Sequence, residues 1–380
     1  MKKEYHKKII FWAPLLSHVG TINAVIGMAD SFKKFLKYEV YIFNVFGEFD
    51  EFKLKKDYHF IDVFRFARYL PQTGKLSKIF VHLFSILSLP YFFLKIIQIK
   101  PNILISSLLG YLTNLLKFLT NKIIFINSIQ GYPRFNYLRY AVWRLLYSKS
   151  DFIFVMTKKT RIELINKINL NPQKIFNINN PIISSDIRIL ANENLTVNEE
   201  NLFKKKVFCS VGRLTKQKNF NELFLGLKKY SDFYDDNFNL IVIGEGEMKK
   251  DLENFIKENN IKNFYLLGFK SNPYKYMARS SLYVCTSLWE EPGHTLIEAG
   301  YLNLPILTSN CPNGPDEIIR ENYNGFKYKL GNIEDMVKNV KKINHLKNDE
   351  LLKIKINMKK TISSYTKFKF SKSIQQIIKI

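Results

Sequence analysis

The sequence predicts an α/β protein made of two successive doubly wound, largely parallel sheets. Short apolar runs alternate with stretches of helical periodicity along most of the chain. The alternation stops once, in a polar segment, and then restarts. The length of 380 residues exceeds one ordinary α/β domain and suits two.

In the first half the strand-like runs are KKIIFW (7–12), YEVYIFNVF (38–46), PNILISS (101–107), NKIIFINS (121–128), DFIFVMT (151–157) and KIFNI (174–178). Ile22, Val25, Ile26, Ala29 and Phe32 recur at helical spacing after the first of them. Residues 184–205 are polar, acidic and then basic, and mark a linker. KVFCSVG (206–212), FNLIVIG (238–244), NFYLLGF (263–269), SLYVCTS (281–287), LPILTS (304–309) and GFKY (325–328) then resume the pattern. The expected organisation is a first Rossmann-like domain over 1–183, a linker over 184–205 and a second domain over 206–360. A C-terminal helix within 361–380 is expected to pack back on the first domain. Ligands of such sheets sit beyond the carboxyl ends of the strands, and with two domains the cleft between them is the expected catalytic site.

The net charge of +25 calls for an anionic partner or a solvated Lys-rich surface. Residues 1–200 carry 28 Lys/Arg against 14 Asp/Glu, and the remainder 30 against 19, so no nucleic-acid-binding arm stands out. Three cysteines, Cys209, Cys285 and Cys311, fit no zinc spacing. Cys209 and Cys285 lie in apolar runs as buried free thiols do, and a reducing cytoplasm is expected. The apolar run near the N-terminus is too short for a secretion signal. The run Ile79 to Ile97 is interrupted by His82, Pro90 and Lys95. It reads as a pair of buried helices rather than a membrane span, or as an apolar helical face lying on a membrane.

Four loops of the second half follow strands. In the first, Gly212 permits a tight turn, and Arg213 and Lys218 suit a diphosphate, as planar fork and point charge. In the second, Gly244-Glu-Gly-Glu247 allows close approach of a ligand or of a packed neighbour. The third runs from Thr286 to Gly300, where Pro292-Gly293 precede a helix. Backbone N–H groups near His294, Thr295 and Leu296 would point at an anion. Glu290 and Glu298, one in the loop and one in the second helical turn, could bracket a nucleotide sugar. The fourth, Ser309 to Ile319, is a turn-rich loop in which Asp316 and Glu317 can cap a helix.

Together VGRLTKQKNF, VIGEGEMKKDL, LLGFKSNPYKYM, SLYVCTSLWEEPGHTLIEA and LTSNCPNGPDEIIRENYNGF resemble the retaining glycosyltransferases of family 4, which have the GT-B fold. The likeness is strong over 206–330; PNILISS, INSIQGYP and IFNINNPI are its marks in the first half. It implies two Rossmann-like domains facing each other across a cleft. It implies that Arg213 and Lys218 stabilise the donor diphosphate, and that Glu290 and Glu298 form the E-x7-E element, with Glu298 on the ribose. Phe269, Lys270 and Pro273 fall at the nucleobase pocket. Thr295 and Leu296 supply N–H groups to the phosphates, and Gly20 of HVGT lies on the acceptor side. Two departures stand out. Glu290 is followed by Glu291-Pro292-Gly293-His294, where the family often has Glu-Gly. On the acceptor side Gln130 replaces a frequent histidine, and an amide cannot relay a proton between groups as an imidazole does.

The resemblance implies a nucleotide-sugar donor, a UDP-N-acetylhexosamine or UDP-hexose, and transfer with retention and without a cofactor or metal. Asp235-Asp236, the nearest thing to an Asp-x-Asp metal motif, reads as a surface turn. The expected acceptor is a glycan, lipid-linked, of bacterial polysaccharide, lipopolysaccharide or glycoprotein synthesis. The expected place is cytoplasmic, peripheral on the inner face of the membrane. A GDP-mannose-dependent transferase and a nucleotide-sugar epimerase or hydrolase of the same fold remain as alternatives.

Overall fold

The structure, a computed structural model, describes residues 7–15, 20–70, 74–120, 122–131 and 137–378. The chain forms two compact units. One contains residues up to Ile182 together with the segment from Lys367; the other is Ile183–Thr366.

The first unit runs β1 (Lys8–Trp12), α1 (Gly20–Phe35), β2 (Glu39–Asn44), β3 (His59–Asp62), α2 (Gly74–Ile99), β4 (Ile103–Ser107), β5 (Ile124–Ile129), α3 (Tyr137–Tyr147), β6 (Phe152–Val155), α4 (Lys158–Ile168) and β7 (Ile175–Asn177). Its strands form one parallel sheet in the order β3-β2-β1-β4-β5-β6-β7. Side chains of a strand alternate between faces, and β1 shows the consequence. Ile9 and Phe11 enter the core shared with Phe32 of α1, whereas Ile10 and Trp12 enter the core shared with Phe92 of α2. The strand is apolar at every position because both its faces are covered.

The first half differs from expectation in two places. β3 was not expected; HFID is short and lies at the sheet edge, where half-exposed residues carry little apolar signal. The Ile79 to Ile97 run is one continuous helix, α2, with Pro90 inside it, rather than a pair. A proline removes one backbone hydrogen bond, and packing of Leu89, Phe92 and Ile96 against the sheet holds the halves together. Its segment Ile79–Ile99 is long and apolar enough to cross a membrane, yet one side of α2 is part of the core.

The second unit begins where a linker was expected. Residues 184–205 carry α5 (Ser185–Ala191), capped by the Ser184 hydroxyl, and α6 (Val197–Asn201), with a Thr196/Glu199 capping box. Asn272 Nδ2 donates to Leu190 O and to Glu193, which binds this segment to the rest of the unit. The capping residues supply the polar composition that reads as a linker. Then follow β8 (Lys206–Val211), α7 (Phe220–Phe233), β9 (Phe238–Ile243), α8 (Lys249–Glu258), β10 (Phe264–Leu266), α9 (Tyr274–Met277), β11 (Leu282–Cys285), α10 (His294–Tyr301), β12 (Ile306–Ser309), α11 (Gly314–Ile318), β13 (Phe326–Tyr328), α12 (Ile333–Asn344) and α13 (Asn348–Ile362). The parallel sheet has the order β10-β9-β8-β11-β12-β13. The last helix, α14 (Lys367–Ile378), belongs to the first unit. Phe370 packs on Phe32 of α1, and the Lys367 ammonium meets the buried Asp30 carboxylate at 2.5 Å. Cys209, Cys285 and Cys311 are buried free thiols.

Candidate functional site

The second sheet fixes where a ligand can bind. From β8 the chain moves outward to β9 and β10, then returns to β11 on the other side of β8. The order therefore reverses between β8 and β11. A parallel sheet opens a crevice beyond the carboxyl ends of such neighbours, and the loops after β8 and β11 border it.

Those two loops are held together by their own polar atoms. Gln217 Nε2 donates to Trp289 O at 2.9 Å, and Leu288 N donates to Gln217 O at 2.8 Å. The Thr286 hydroxyl donates toward the carbonyls of Lys218 and Asn219, at 3.0 Å each. Between the loops, Lys218 Nζ donates to Glu290 Oε1 at 2.5 Å, and Ser287 Oγ donates to the same oxygen at 2.5 Å. Burial works against the charge on Lys218, but the Glu290 carboxylate outweighs it and raises the lysine above its ordinary value. Arg213 differs. It is exposed, and its guanidinium makes no ion pair or hydrogen bond among the described residues.

The glycines of the second loop serve packing. Gly244 has φ +151°, and a Cβ there would stand 1.9 Å from the Gly212 carbonyl oxygen. A Cβ on Gly246 would stand 2.3 Å from Leu214 O. The loops after β8 and β9 thus touch backbone to backbone, joined by Leu214 N to Glu245 O at 2.9 Å. At Gly212 a Cβ would press on the Lys218 side chain at 3.0 Å. Gly244 thus permits the close approach of a packed neighbour.

Gly293, φ +95°, precedes α10 and lets the chain turn into the helix. First-turn N–H groups have no partner inside their helix. His294 and Thr295 occupy that turn, but the Leu296 N–H donates to Gly293 O at 3.1 Å. The helix thus opens with a tight turn that uses the Leu296 N–H. One turn on, Glu298 is buried, and the Tyr274 hydroxyl donates to its Oε1 at 3.0 Å. Burial raises the Glu298 carboxyl to about 6, against the pull of Tyr274 and of the Lys218 charge. Phe269 is exposed, Lys270 lies 6.0 Å from the Tyr276 ring, and Pro273 caps α9. The fourth loop joins through Ser309 Oγ to Ser287 O at 2.7 Å, and Asn313 Nδ2 to Glu291 Oε2 at 3.1 Å.

The four loops thus converge. Residues 193–361 match the family model of glycosyl transferases group 1. The match lies within the second unit, and Arg213, Lys218, Glu290 and Glu298 all fall inside it. An uncharacterized glycosyltransferase of Methanocaldococcus jannaschii is 34% identical over 256 residues, 62% of this chain and 62% of its own length. An N-acetylgalactosamine-N,N'-diacetylbacillosaminyl-diphospho-undecaprenol 4-alpha-N-acetylgalactosaminyltransferase of Campylobacter jejuni is 31% identical over 218 residues, 57% of this chain and 56% of its own length. The chain thus spans less than two thirds of these relatives. The crystal structure of Anabaena HepE in complex with UDP-glucose superposes with a TM-score of 0.76 at 15% identity, covering 98% of this chain and 100% of that one. The likeness is one of fold: two Rossmann-like domains, the GT-B architecture.

Outside the matched residues, Gly20 opens α1; His18 and Val19 of its HVGT segment, and Tyr132 and Pro133 of INSIQGYP, lie outside the described residues. Gln130 is buried and reciprocally paired with Asn180, donating at 3.2 Å and accepting at 2.7 Å. It also donates to Ser128 Oγ at 2.6 Å. Its amide is thus occupied by neighbours in its own unit. Ser287, Tyr274 and Asn313 escaped the sequence reading. Tyr274 carries no local signal, since its partner Glu298 lies 24 residues further along the chain.

Proposed function

We propose that this chain transfers a sugar from a nucleotide-diphosphate donor, a UDP-N-acetylhexosamine or UDP-hexose, to a glycan acceptor carried on a lipid. The observation that carries the reading is the Lys218–Glu290 pair in the crevice between β8 and β11, with exposed Arg213 on the same loop. The relatives support it: the Campylobacter jejuni protein is named for a diphospho-undecaprenol acceptor, and the Anabaena structure holds UDP-glucose.

In this reaction the bond between the anomeric carbon and the diphosphate oxygen breaks, and its electron pair leaves with the nucleoside diphosphate. Positive charge develops on the sugar and negative charge on the leaving phosphate. The Arg213 guanidinium and the N-terminal turn of α10 stabilise that phosphate, with Lys218 behind them. No metal is required, because these groups supply the positive charge. The acceptor hydroxyl attacks on the face the phosphate leaves, passes its proton to that phosphate, and the configuration is retained. Glu298 accepts hydrogen bonds from the ribose, and Glu290 lies beside the donor sugar.

Titration calorimetry with UDP-, GDP-, ADP- and CMP-sugars tests the donor, with Arg213→Ala in parallel. Selective binding of one UDP-sugar, weakened in the variant, is expected. Turnover of the donor to its epimer without an acceptor, or a product of inverted configuration, would contradict the proposal.

A further inference from the structure

We propose that the exposed face of α2 is a docking surface that lies flat in the headgroup region of an anionic lipid bilayer. The helix is apolar on two sides. Its inner side belongs to the core, where Phe92 packs 6.1 Å from Trp12 and 4.6 Å from Phe43, ring to ring. On its outer side Leu76, Ile79, Leu83, Ile86, Leu94 and Ile97 are between 48% and 62% exposed. They follow one another at intervals of three and four residues, broken only where Pro90, also exposed, takes the next place. That spacing makes a single stripe, which from Leu76 to Ile97 is about 32 Å long. A helix that merely covers a core in water turns a polar side outward. An apolar stripe of this extent marks an interaction site.

The patch continues beyond the helix. Phe66, half exposed, packs 5.6 Å from Phe84 of α2, and the 3-10 segment Gly110–Leu119 exposes Phe118 and Leu119.

Charge decides among occupants. Residues 63–150, which contain all of these positions, hold twelve Lys/Arg and no Asp or Glu, in a chain with 33 acidic residues. Lys149 sits 5.4 Å over the Phe118 ring, at the patch itself. Asp62 and Asp151, which border this stretch, pair with Arg65 and Lys117, and the other cations of a second copy would meet cations. An anionic leaflet satisfies the stripe and the one-signed charge together. Spanning is a different matter: the inner side of α2 is core, so crossing the bilayer would strip the sheet of its cover. The surface would bring the chain to the leaflet that holds a lipid-linked acceptor, but lipid binding does not rest on the glycosyl-transfer reading.

Flotation of the full chain with vesicles of phosphatidylcholine alone, and of phosphatidylcholine mixed with phosphatidylglycerol, tests this without donor or acceptor. The wild type should float with the anionic vesicles and not with the neutral ones, and added salt should weaken the binding. The triple substitution Leu83→Ser, Ile86→Ser, Leu94→Ser should lower partitioning about tenfold or more. Donor binding measured by calorimetry on the same protein should stay unchanged, which also reports an intact fold. Leu83→Trp with brominated lipids should be quenched most by bromines near the headgroup. Absence of wild-type binding to anionic vesicles would overturn the proposal, as would strongest quenching at the bilayer centre. A dimer dissolved by the triple substitution, with no lipid binding, would assign the face to a second copy instead.

Discussion

Lys218 and Glu290 are 72 residues apart in sequence and 2.5 Å apart in space. They close the crevice between β8 and β11 with one ion pair, whose side chains are 16% and 7% exposed. A pair this buried is costly to break from one side, because the remaining charge loses its partner. Glu290→Ala is therefore expected to destabilise the protein by about 3–5 kcal/mol. Lys218→Ala together with Glu290→Ala should cost less than the sum of the single changes. Urea unfolding of the four proteins measures the coupling; additivity within about 0.5 kcal/mol would mean that the two side chains act independently.

Arg213 offers the opposite test. It is exposed and has no ion pair to lose among the described residues, so Arg213→Ala should change stability by less than about 0.5 kcal/mol. If it grips the donor diphosphate, donor affinity should fall about tenfold to a hundredfold, the loss of a charge-assisted hydrogen bond or two. Calorimetry and a melting curve on one sample separate these effects. Unaltered donor affinity would remove Arg213 from the site.

The second sheet was legible because each strand ends in a loop whose Gly, Pro and charged residues stand at the strand's carboxyl end, as with Gly212-Arg213 and Pro292-Gly293. What escaped depends on contacts between segments far apart in sequence. Nothing local in Tyr274 announces its bond to Glu298, and nothing in Gln130 announces Asn180, fifty residues on. α2 was misread for a different reason. Pro90 is a strong local signal against a helix, and the tertiary packing of Phe92 and Ile96 overrides it.

Gly244 and Gly331 both have positive φ, at +151° and +80°, but only the first faces a wall. A Cβ at Gly244 would collide with the Gly212 carbonyl at 1.9 Å, whereas among the described residues nothing lies within 4 Å of one at Gly331. Gly331→Ala should cost about 1 kcal/mol, the strain of the backbone alone. Gly244→Ala should cost more than about 3 kcal/mol and also weaken donor binding, since the wall it strikes is the loop that carries Arg213 and Lys218. Equal losses in unfolding experiments would show that the contact between the two loops yields easily.

Glu298 links burial to pH. Its carboxyl ordinarily titrates at 4.5, and burial raises it to about 6 in the folded chain. Between those values the folded protein binds the proton that the unfolded chain releases. The stabilisation this gives is complete below 4.5 and disappears as pH rises through 6. A shift of this size corresponds to about 2 kcal/mol. Glu298→Gln, which keeps the neutral shape, should therefore be more stable than wild type by up to about 2 kcal/mol above the folded pKa, and lose that advantage in acid. The ionised form is the better acceptor for ribose hydroxyls, so the donor KM of the wild type should climb as pH falls through about 6. Tyr274→Phe removes a hydrogen bond that favours the carboxylate. Its KM profile should shift to higher pH, while a tyrosine that merely fills space would leave the midpoint where it is.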